Sequence, residues 1–123
     1  MLLKDFYKVI SLEKTAENNY LVLILINEEH EVFKGHFPGN PIMPGVCMMQ
    51  IIKELTEQIC GSSLFMQSLS NVKFMALINP FINPELRLVL ELSSTDTDLI
   101  KVKNVTYFGD TLALKLSSIY RKV

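Results

Sequence analysis

A histidine and the start of a predicted helix lie together in one short segment, residues 35 to 46, with the sequence GHFPGNPIMPGV. Proline fixes φ and removes a backbone donor, while glycine permits close approach, so this composition restricts the backbone around His36. The N–H groups near Gly45 and Val46 would lie at the positive end of the helix dipole, where a carbonyl oxygen or an anion binds. Because an imidazole exchanges protons near neutral pH, these groups suit the removal of a proton next to a polarised carbonyl.

The same segment resembles the HFPGxPxxPGV signature of the hydroxyacyl-acyl-carrier-protein dehydratases, which are hot-dog fold enzymes of fatty acid synthesis. The resemblance implies one α+β hot-dog domain over residues 1–123, with an antiparallel sheet of about six strands around one long central helix. It also implies a lyase that removes water from a (3R)-hydroxyacyl thioester to give a trans-2-enoyl thioester. The acyl chain would be carried on the phosphopantetheine of acyl carrier protein or of coenzyme A, with no other cofactor and no metal.

The resemblance assigns roles to particular residues. His36 would take part in removing the α-proton, and Gly45 would donate its N–H to the thioester carbonyl. In the family, a Glu or Asp from the partner's helix handles the hydroxyl. That carboxylate lies fourteen residues after the histidine, where this chain has Gln50, an amide that cannot deliver a proton to a leaving hydroxyl. Glu54 follows one helical turn later, where the family commonly has glutamine, so the acid is shifted by ~6 Å along the helix axis. Glu54 is therefore either a relocated acid or part of a solvated helix face.

A dimer is the assembly that the resemblance implies. In the family, two copies join their sheets and enclose acyl tunnels along the interface, so we expect a homodimer or a higher homo-oligomer. The expected tunnel residues flank the motif and are Phe33, Phe37, Met43, Pro44 and Val46. Packing in the core is the alternative for the aromatic and methionine side chains.

Two other functions remain open on the sequence. A non-catalytic acyl-binding partner subunit would keep the tunnel while Gln50 disables the chemistry. A thioester hydrolase would use Glu54 to position a water molecule. His36 could also be a structural histidine satisfied by backbone groups, and Cys47 could be a nucleophile or a small buried filler.

The elements that position these residues follow from hydrophobic periodicity. Residues 45–60 contain no interior proline or glycine and stop at Gly61, which predicts a helix with one apolar side. Six runs rich in β-branched or alternating apolar residues predict strands: 6–14 and 19–26 as a hairpin, then 64–75, 86–92, 98–108 and 111–121. The strands after the helix suggest an antiparallel meander. One helix across one sheet face is an α+β layer.

Composition excludes several classes of partner. The chain is 49% hydrophobic and 20% charged with a net charge of -1, so it lacks the basic excess that binds nucleic acid. Its longest apolar run, residues 20–26, is far below the ~20 residues that cross a bilayer as a helix. The first residues do not match a signal peptide, so we expect a cytoplasmic protein with reduced cysteines and no membrane insertion.

Overall fold

A computed structural model of the protein describes residues 5–34 and 42–123. The described residues form six strands, one α-helix and a short 3-10 helix, which confirms the α+β class predicted from the sequence. The strands are β1 Tyr7–Ala16, β2 Asn19–Ile26, β3 Leu64–Phe74, β4 Glu85–Asp96, β5 Leu99–Phe108 and β6 Thr111–Lys122. The 3-10 helix is Glu31–Phe33, and the α-helix, α1, is Gly45–Cys60.

Helix α1 has the bounds that the sequence predicts. It ends at Gly61, whose φ of 69° is in the left-handed region and whose N–H donates to the carbonyl of Glu57. Its buried side chains include Met48, Ile51, Ile52 and Leu55, as the apolar periodicity requires. Thr56 is also buried, because its hydroxyl donates to the Ile52 carbonyl at 2.8 Å and so needs no water.

The six strands make one antiparallel sheet in the order β1-β2-β4-β5-β6-β3. The meander expected after the helix is correct for β4, β5 and β6, but it is wrong for β3. Strand β3 pairs with β6 at one edge of the sheet, while β4 pairs with β2 in the middle. The helix runs between β2 and β3 in the chain, so it carries the backbone from the interior of the sheet to its far edge.

The core lies between α1 and the inner face of the sheet. Strand β4 shows this most simply, because its four alternating leucines are all buried: Leu86, Leu88, Leu90 and Leu92. On β1 the inner face carries Tyr7 and Val9, which pack against the same core and pair with Ile26 and Ile24 of β2. The hairpin therefore presents a tyrosine to the helix at the outer edge of the sheet.

Across the described ranges, none of the helices combines the length and the apolar character that a membrane-crossing helix requires.

Candidate active site

The first turn of α1 leaves two backbone donors outside the helical hydrogen-bond ladder. Pro44 is the N-cap residue, and its side chain makes no capping hydrogen bond. The N–H groups of Cys47 and Met48 donate to the Pro44 carbonyl at 3.1 and 3.3 Å. The N–H groups of Gly45 and Val46 come before these bonds, so they lie outside the helical ladder and point from the positive end of the helix. Such an end stabilises a carbonyl oxygen that gains negative charge.

Gly45 is packed against an aromatic ring. A Cβ built on Gly45 would lie 3.4 Å from Cε1 of Phe74 and only 2.9 Å from its Cζ, and the second distance is shorter than real Cβ contacts. Phe74 is the last residue of β3, and its side chain is 54% exposed. The absence of a side chain at Gly45 therefore lets the edge of the sheet close onto the helix start.

Glu54 lies in a hydrogen-bonded group of three side chains. The Tyr7 hydroxyl donates to Glu54 Oε1 at 2.9 Å, and Gln50 Nε2 donates to Glu54 Oε2 at 2.9 Å. All three residues are partly buried. Gln50 and Glu54 are one helical turn apart, and Tyr7 reaches them from β1 across 47 residues of sequence. Glu54 is therefore fixed from two sides, unlike an acid on a solvated helix face.

The electrostatics of this group keep the tyrosine protonated. Burial raises the pKa of Tyr7 well above its ordinary value, and the hydrogen bond to Glu54 and the negative charges of Glu54 and Glu57 raise it further. The Tyr7 hydroxyl therefore keeps the proton that it donates in its hydrogen bond to Glu54. Glu54 accepts one hydrogen bond on each of its carboxyl oxygens.

Glu57, the other acid near this face of α1, has a different environment. Its Oε2 accepts a hydrogen bond from the Leu64 backbone N–H at 2.8 Å and lies 3.6 Å from Nζ of Lys53. Leu64 is the first residue of β3, so Glu57 ties the end of the helix to the next strand. This role is structural.

The residues expected to line an acyl tunnel differ in burial. Phe33 and Met43 are buried, at 4% and 6% exposure, and Pro44 is partly buried. Val46 is 68% exposed at the start of the helix. His36 and Phe37 lie outside the described residues. Their assignment to the reaction and to the tunnel stays a prediction.

Phe33 borders a depression of about 670 Å³ in the surface. The described residues that line it are Glu28, Glu29, Phe33, Lys34 and Phe81. Phe33 also stacks on Phe6 with ring centroids 5.4 Å apart, so the same side chain belongs to the core and to the wall of the depression. Phe33 is thus a core residue that also reaches the surface, and its assignment to an acyl tunnel stays a prediction.

The cysteines are in environments that suppress nucleophilicity. Burial raises the pKa of the Cys47 thiol, which is 5% exposed. Burial also raises the pKa of Cys60, although the charge of Lys122 partly opposes it. Cys47 is therefore a buried filler near the helix start.

Among the residues that the structure describes, no group of three or more histidine, cysteine or acidic side chains is arranged to hold a metal ion.

Two residues of this site were missed by the sequence reasoning. Tyr7 has a polar group on an inner strand face that is otherwise apolar, and this was the available signal. Nothing in the sequence indicated that its partner would be Glu54. Phe74 appeared only as the end of a strand, because its contact with Gly45 depends on the closure of the sheet around the helix.

Comparison with protein families gives a match over most of the chain. A family model described as ApeI-like, the ApeI dehydratase, matches residues 12–108. A 3-hydroxyacyl-[acyl-carrier-protein] dehydratase FabZ from Legionella pneumophila strain Philadelphia 1 is 35% identical over 107 residues, which cover 76% of this chain and 69% of the relative. The FabZ of Caulobacter strain K31 is 31% identical over 99 residues, covering 73% of this chain. The chain spans only 58% of that relative's length.

Solved structures share the fold. The dehydratase heterocomplex ApeI:P from Xenorhabdus doucetiae superposes with a TM-score of 0.74 at 19% identity, covering 94% of this chain and 97% of that chain. A hypothetical thioesterase with coenzyme A from Streptococcus pneumoniae TIGR4 gives a TM-score of 0.69 at 10% identity, covering 99% and 91%. These similarities confirm the predicted hot-dog fold.

Proposed function

The chain belongs to the ApeI-like dehydratase family, and on that premise we propose that it removes water from a 3-hydroxyacyl thioester to give a trans-2-enoyl thioester. The observation that carries the proposal is the combination on one helix of an N-terminus at Gly45, which suits a thioester carbonyl, and a fixed polar group at Gln50 and Glu54, which suits the substrate hydroxyl. Gly45 and Glu54 lie ~14 Å apart along the helix axis, too far to serve one 3-hydroxyacyl thioester from the same helix. In the proposed dimer the carbonyl is therefore bound by one copy and the hydroxyl by the polar group of the other.

In the proposed reaction, His36 takes one proton from the α-carbon while the Gly45 N–H stabilises the negative charge on the thioester oxygen. The C–O bond at the β-carbon then breaks, and its electron pair leaves with the hydroxyl. The electron pair from the α-carbon forms the double bond. One proton must reach the hydroxyl so that it leaves as water, and the proton held by His36 returns to that donor before the next turnover.

Glu54 and Gln50 are the groups proposed to serve the hydroxyl. Glu54 is ~6 Å further along the axis than the family's acid, so a water molecule or a shifted acyl chain would connect it to the substrate. Gln50 uses one N–H to bind Glu54, which leaves a second N–H and its carbonyl for the substrate hydroxyl. Glu54 as the relocated acid and Gln50 as the group that orients the hydroxyl are the roles we propose.

The substrate is proposed to arrive on a phosphopantetheine arm, from acyl carrier protein or coenzyme A, and no further cofactor is needed. The names of the FabZ relatives include the acyl carrier protein. Phe33, Phe37, Met43, Pro44 and Val46 are the proposed lining of the acyl tunnel. A cytoplasmic location is part of the same proposal.

A homodimer formed through β3 is the proposed assembly. Strand β3 is at the edge of the sheet, and exposed apolar side chains lie along it and just after it: Phe65, Phe74, Met75 and Leu77. An open apolar edge of this kind pairs with another strand. Sedimentation should therefore give at least twice the 14.0 kDa mass of one chain. The ApeI neighbour is described as a heterocomplex, so a second dehydratase-like chain is the alternative partner if the pure protein sediments as a single chain.

One observation favours a second candidate function. Tyr7 and Gln50 hold the carboxyl group of Glu54 in one position, and a fixed carboxylate that positions water is what a thioester hydrolase requires. The two functions give different products from the same substrate. A dehydratase forms or hydrates the enoyl double bond, whereas a hydrolase releases the free thiol.

The decisive experiment supplies 3-hydroxyacyl, enoyl and saturated acyl thioesters and follows enoyl absorbance and thiol release together. We expect interconversion of the hydroxyacyl and enoyl forms without thiol release. Glu54→Gln should reduce this rate by about 10²-fold, since general acid catalysis contributes on that scale. Dehydration that survives Glu54→Gln would contradict the relocated acid, and binding of all three thioesters without turnover would indicate the acyl-binding subunit instead.

A further inference from the structure

Tyr7 contacts the polar group that is proposed to serve the substrate hydroxyl. It is on β1, at the opposite edge of the sheet from β3, and its side chain points inward to the helix. Its hydroxyl bonds to Glu54 Oε1, and Glu54 Oε2 in turn accepts from Gln50. The family model begins at residue 12, so Tyr7 is outside the matched residues and the family match assigns it no role.

A glutamate side chain has three rotatable bonds, and one hydrogen bond from the preceding helical turn does not fix all of them. Gln50 is equally long and lies on the same helix, so its hydrogen bond does not fix the carboxylate relative to the sheet. Tyr7 has a rigid ring and comes from a different element, which fixes the position of one carboxylate oxygen relative to the sheet. With that oxygen fixed, the second oxygen and the Gln50 amide bonded to it have a defined place.

We propose that Tyr7 is a positioning residue of the active site, which holds Glu54 and, through Glu54, the Gln50 amide in the orientation that serves the substrate hydroxyl. This inference rests on the proposed function for its kinetic consequence. The hydroxyl of Tyr7 does not touch the substrate in this proposal. It acts through the carboxylate alone.

The burial of Tyr7 supports its role as the hydrogen-bond donor to Glu54. Burial raises the pKa of Tyr7, and the hydrogen bond to Glu54 raises it further, so the phenol is protonated near neutral pH. Its proton is therefore available for the hydrogen bond to Glu54. Small displacements of a catalytic group reduce turnover strongly, so a donor of this kind affects rate more than substrate affinity.

The test is a double-mutant cycle on dehydration kinetics with Tyr7→Phe, Glu54→Gln and the combined variant. Tyr7→Phe removes only the hydroxyl and should lower kcat about tenfold with KM changed by less than about twofold, as expected for the loss of one hydrogen bond to a carboxylate. The combined variant should be no slower than Glu54→Gln alone, because Tyr7 acts only through Glu54. Tyr20→Phe is the matched control, since Tyr20 also packs against the core but pairs with Lys14 at the other end of the same hairpin.

A second measurement does not depend on turnover. The side-chain amide resonances of Gln50 in ¹⁵N-labelled protein should shift in Tyr7→Phe and keep their wild-type position in Tyr20→Phe. The inference is overturned if Tyr7→Phe is as active as Tyr20→Phe, or if its effect adds fully to that of Glu54→Gln. If the wild-type protein dehydrates no 3-hydroxyacyl thioester, the proposed function fails by itself. The Gln50 resonances then decide the positioning role, and their indifference to Tyr7→Phe refutes it.

Discussion

The contact between Gly45 and Phe74 allows a quantitative test of the helix start. In Gly45→Ala the new Cβ would lie 2.9 Å from Cζ of Phe74, whereas carbon atoms at their optimal separation are about 3.5–4.0 Å apart. The ring or the helix start must therefore move by about 0.6–1.1 Å. A displacement near 1 Å reduces catalysis by about 10²-fold when it moves a catalytic group. The Gly45 N–H itself is retained in alanine, so the substitution tests position and not the presence of the donor.

The effect on stability should be small. Phe74 is 54% exposed in the single chain, and moving its ring aside should cost about 0.5–1.5 kcal/mol, the range for a side chain forced off its rotamer. Replacing glycine by alanine should stabilise the folded protein by about 0.5–1 kcal/mol, because it reduces the backbone entropy of the unfolded chain. The free energy of unfolding should thus change by less than about 1 kcal/mol, while kcat/KM falls by one to two orders of magnitude if the helix start moves rather than the ring.

The assay is dehydration of a 3-hydroxyacyl thioester, with chemical denaturation of the same samples. Phe74→Leu removes the ring atoms that the new Cβ would meet, so the double variant Gly45→Ala/Phe74→Leu should recover most of the activity. Phe65→Leu is the control, because Phe65 is on the same strand and is also 54% exposed. Failure of Phe74→Leu to restore activity, with Gly45→Ala still impaired, would refute the steric explanation. A fully active Gly45→Ala variant in which the Phe74 ring has not turned aside would refute the importance of the helix start.

Three further predictions concern the polar side of the helix. The exchange Gln50→Glu/Glu54→Gln places the acid where the family has it, and we expect dehydration to be at least tenfold faster than in Glu54→Gln alone; equal rates would mean that position 50 cannot act as the acid in this chain. Glu57→Ala should lower the free energy of unfolding by about 1–3 kcal/mol in denaturant titrations and leave kcat unchanged, because it leaves the Leu64 N–H without its acceptor. Stability should decrease as the pH rises above 10.0, the ordinary phenol pKa, because the unfolded chain loses the Tyr7 proton while the folded protein retains it. The decrease should be less steep in Tyr7→Phe, and identical slopes would contradict the raised pKa.

Much of this fold follows from local pattern. The helix has its predicted bounds, because an uninterrupted helical run ends at Gly61 in a left-handed conformation. The alternating leucines of β4 are buried as predicted, because a period of two places them on one face. The place of β3 was not predictable in this way. Its apolar residues fit a strand beside β4 as well as one beside β6, and only the path of the helix decides between them.

In the candidate site, too, contacts within one element were predictable from the sequence and contacts between elements were not. Gly45, Gln50 and Glu54 were identified from one short segment and its continuation, and the hydrogen bond between Gln50 and Glu54 follows from their spacing on a helix. Tyr7 and Phe74 were missed, because their contacts join parts of the chain that are far apart. Spacing in the sequence gives contacts within an element, whereas contacts between elements depend on how the sheet curves.

The two edges of the sheet contact the two functional parts of the helix. Phe74 comes from β3 and meets Gly45, and Tyr7 comes from β1 and meets Glu54. Strands β1 and β3 are the two edges of the sheet, so both edges reach the same helix at points ~14 Å apart along its axis. The helix start and the polar group are therefore held relative to each other by the sheet as a whole. Any partner that pairs with β3 acts on the edge that touches Gly45, so we expect assembly to affect the geometry of the proposed thioester site through Phe74.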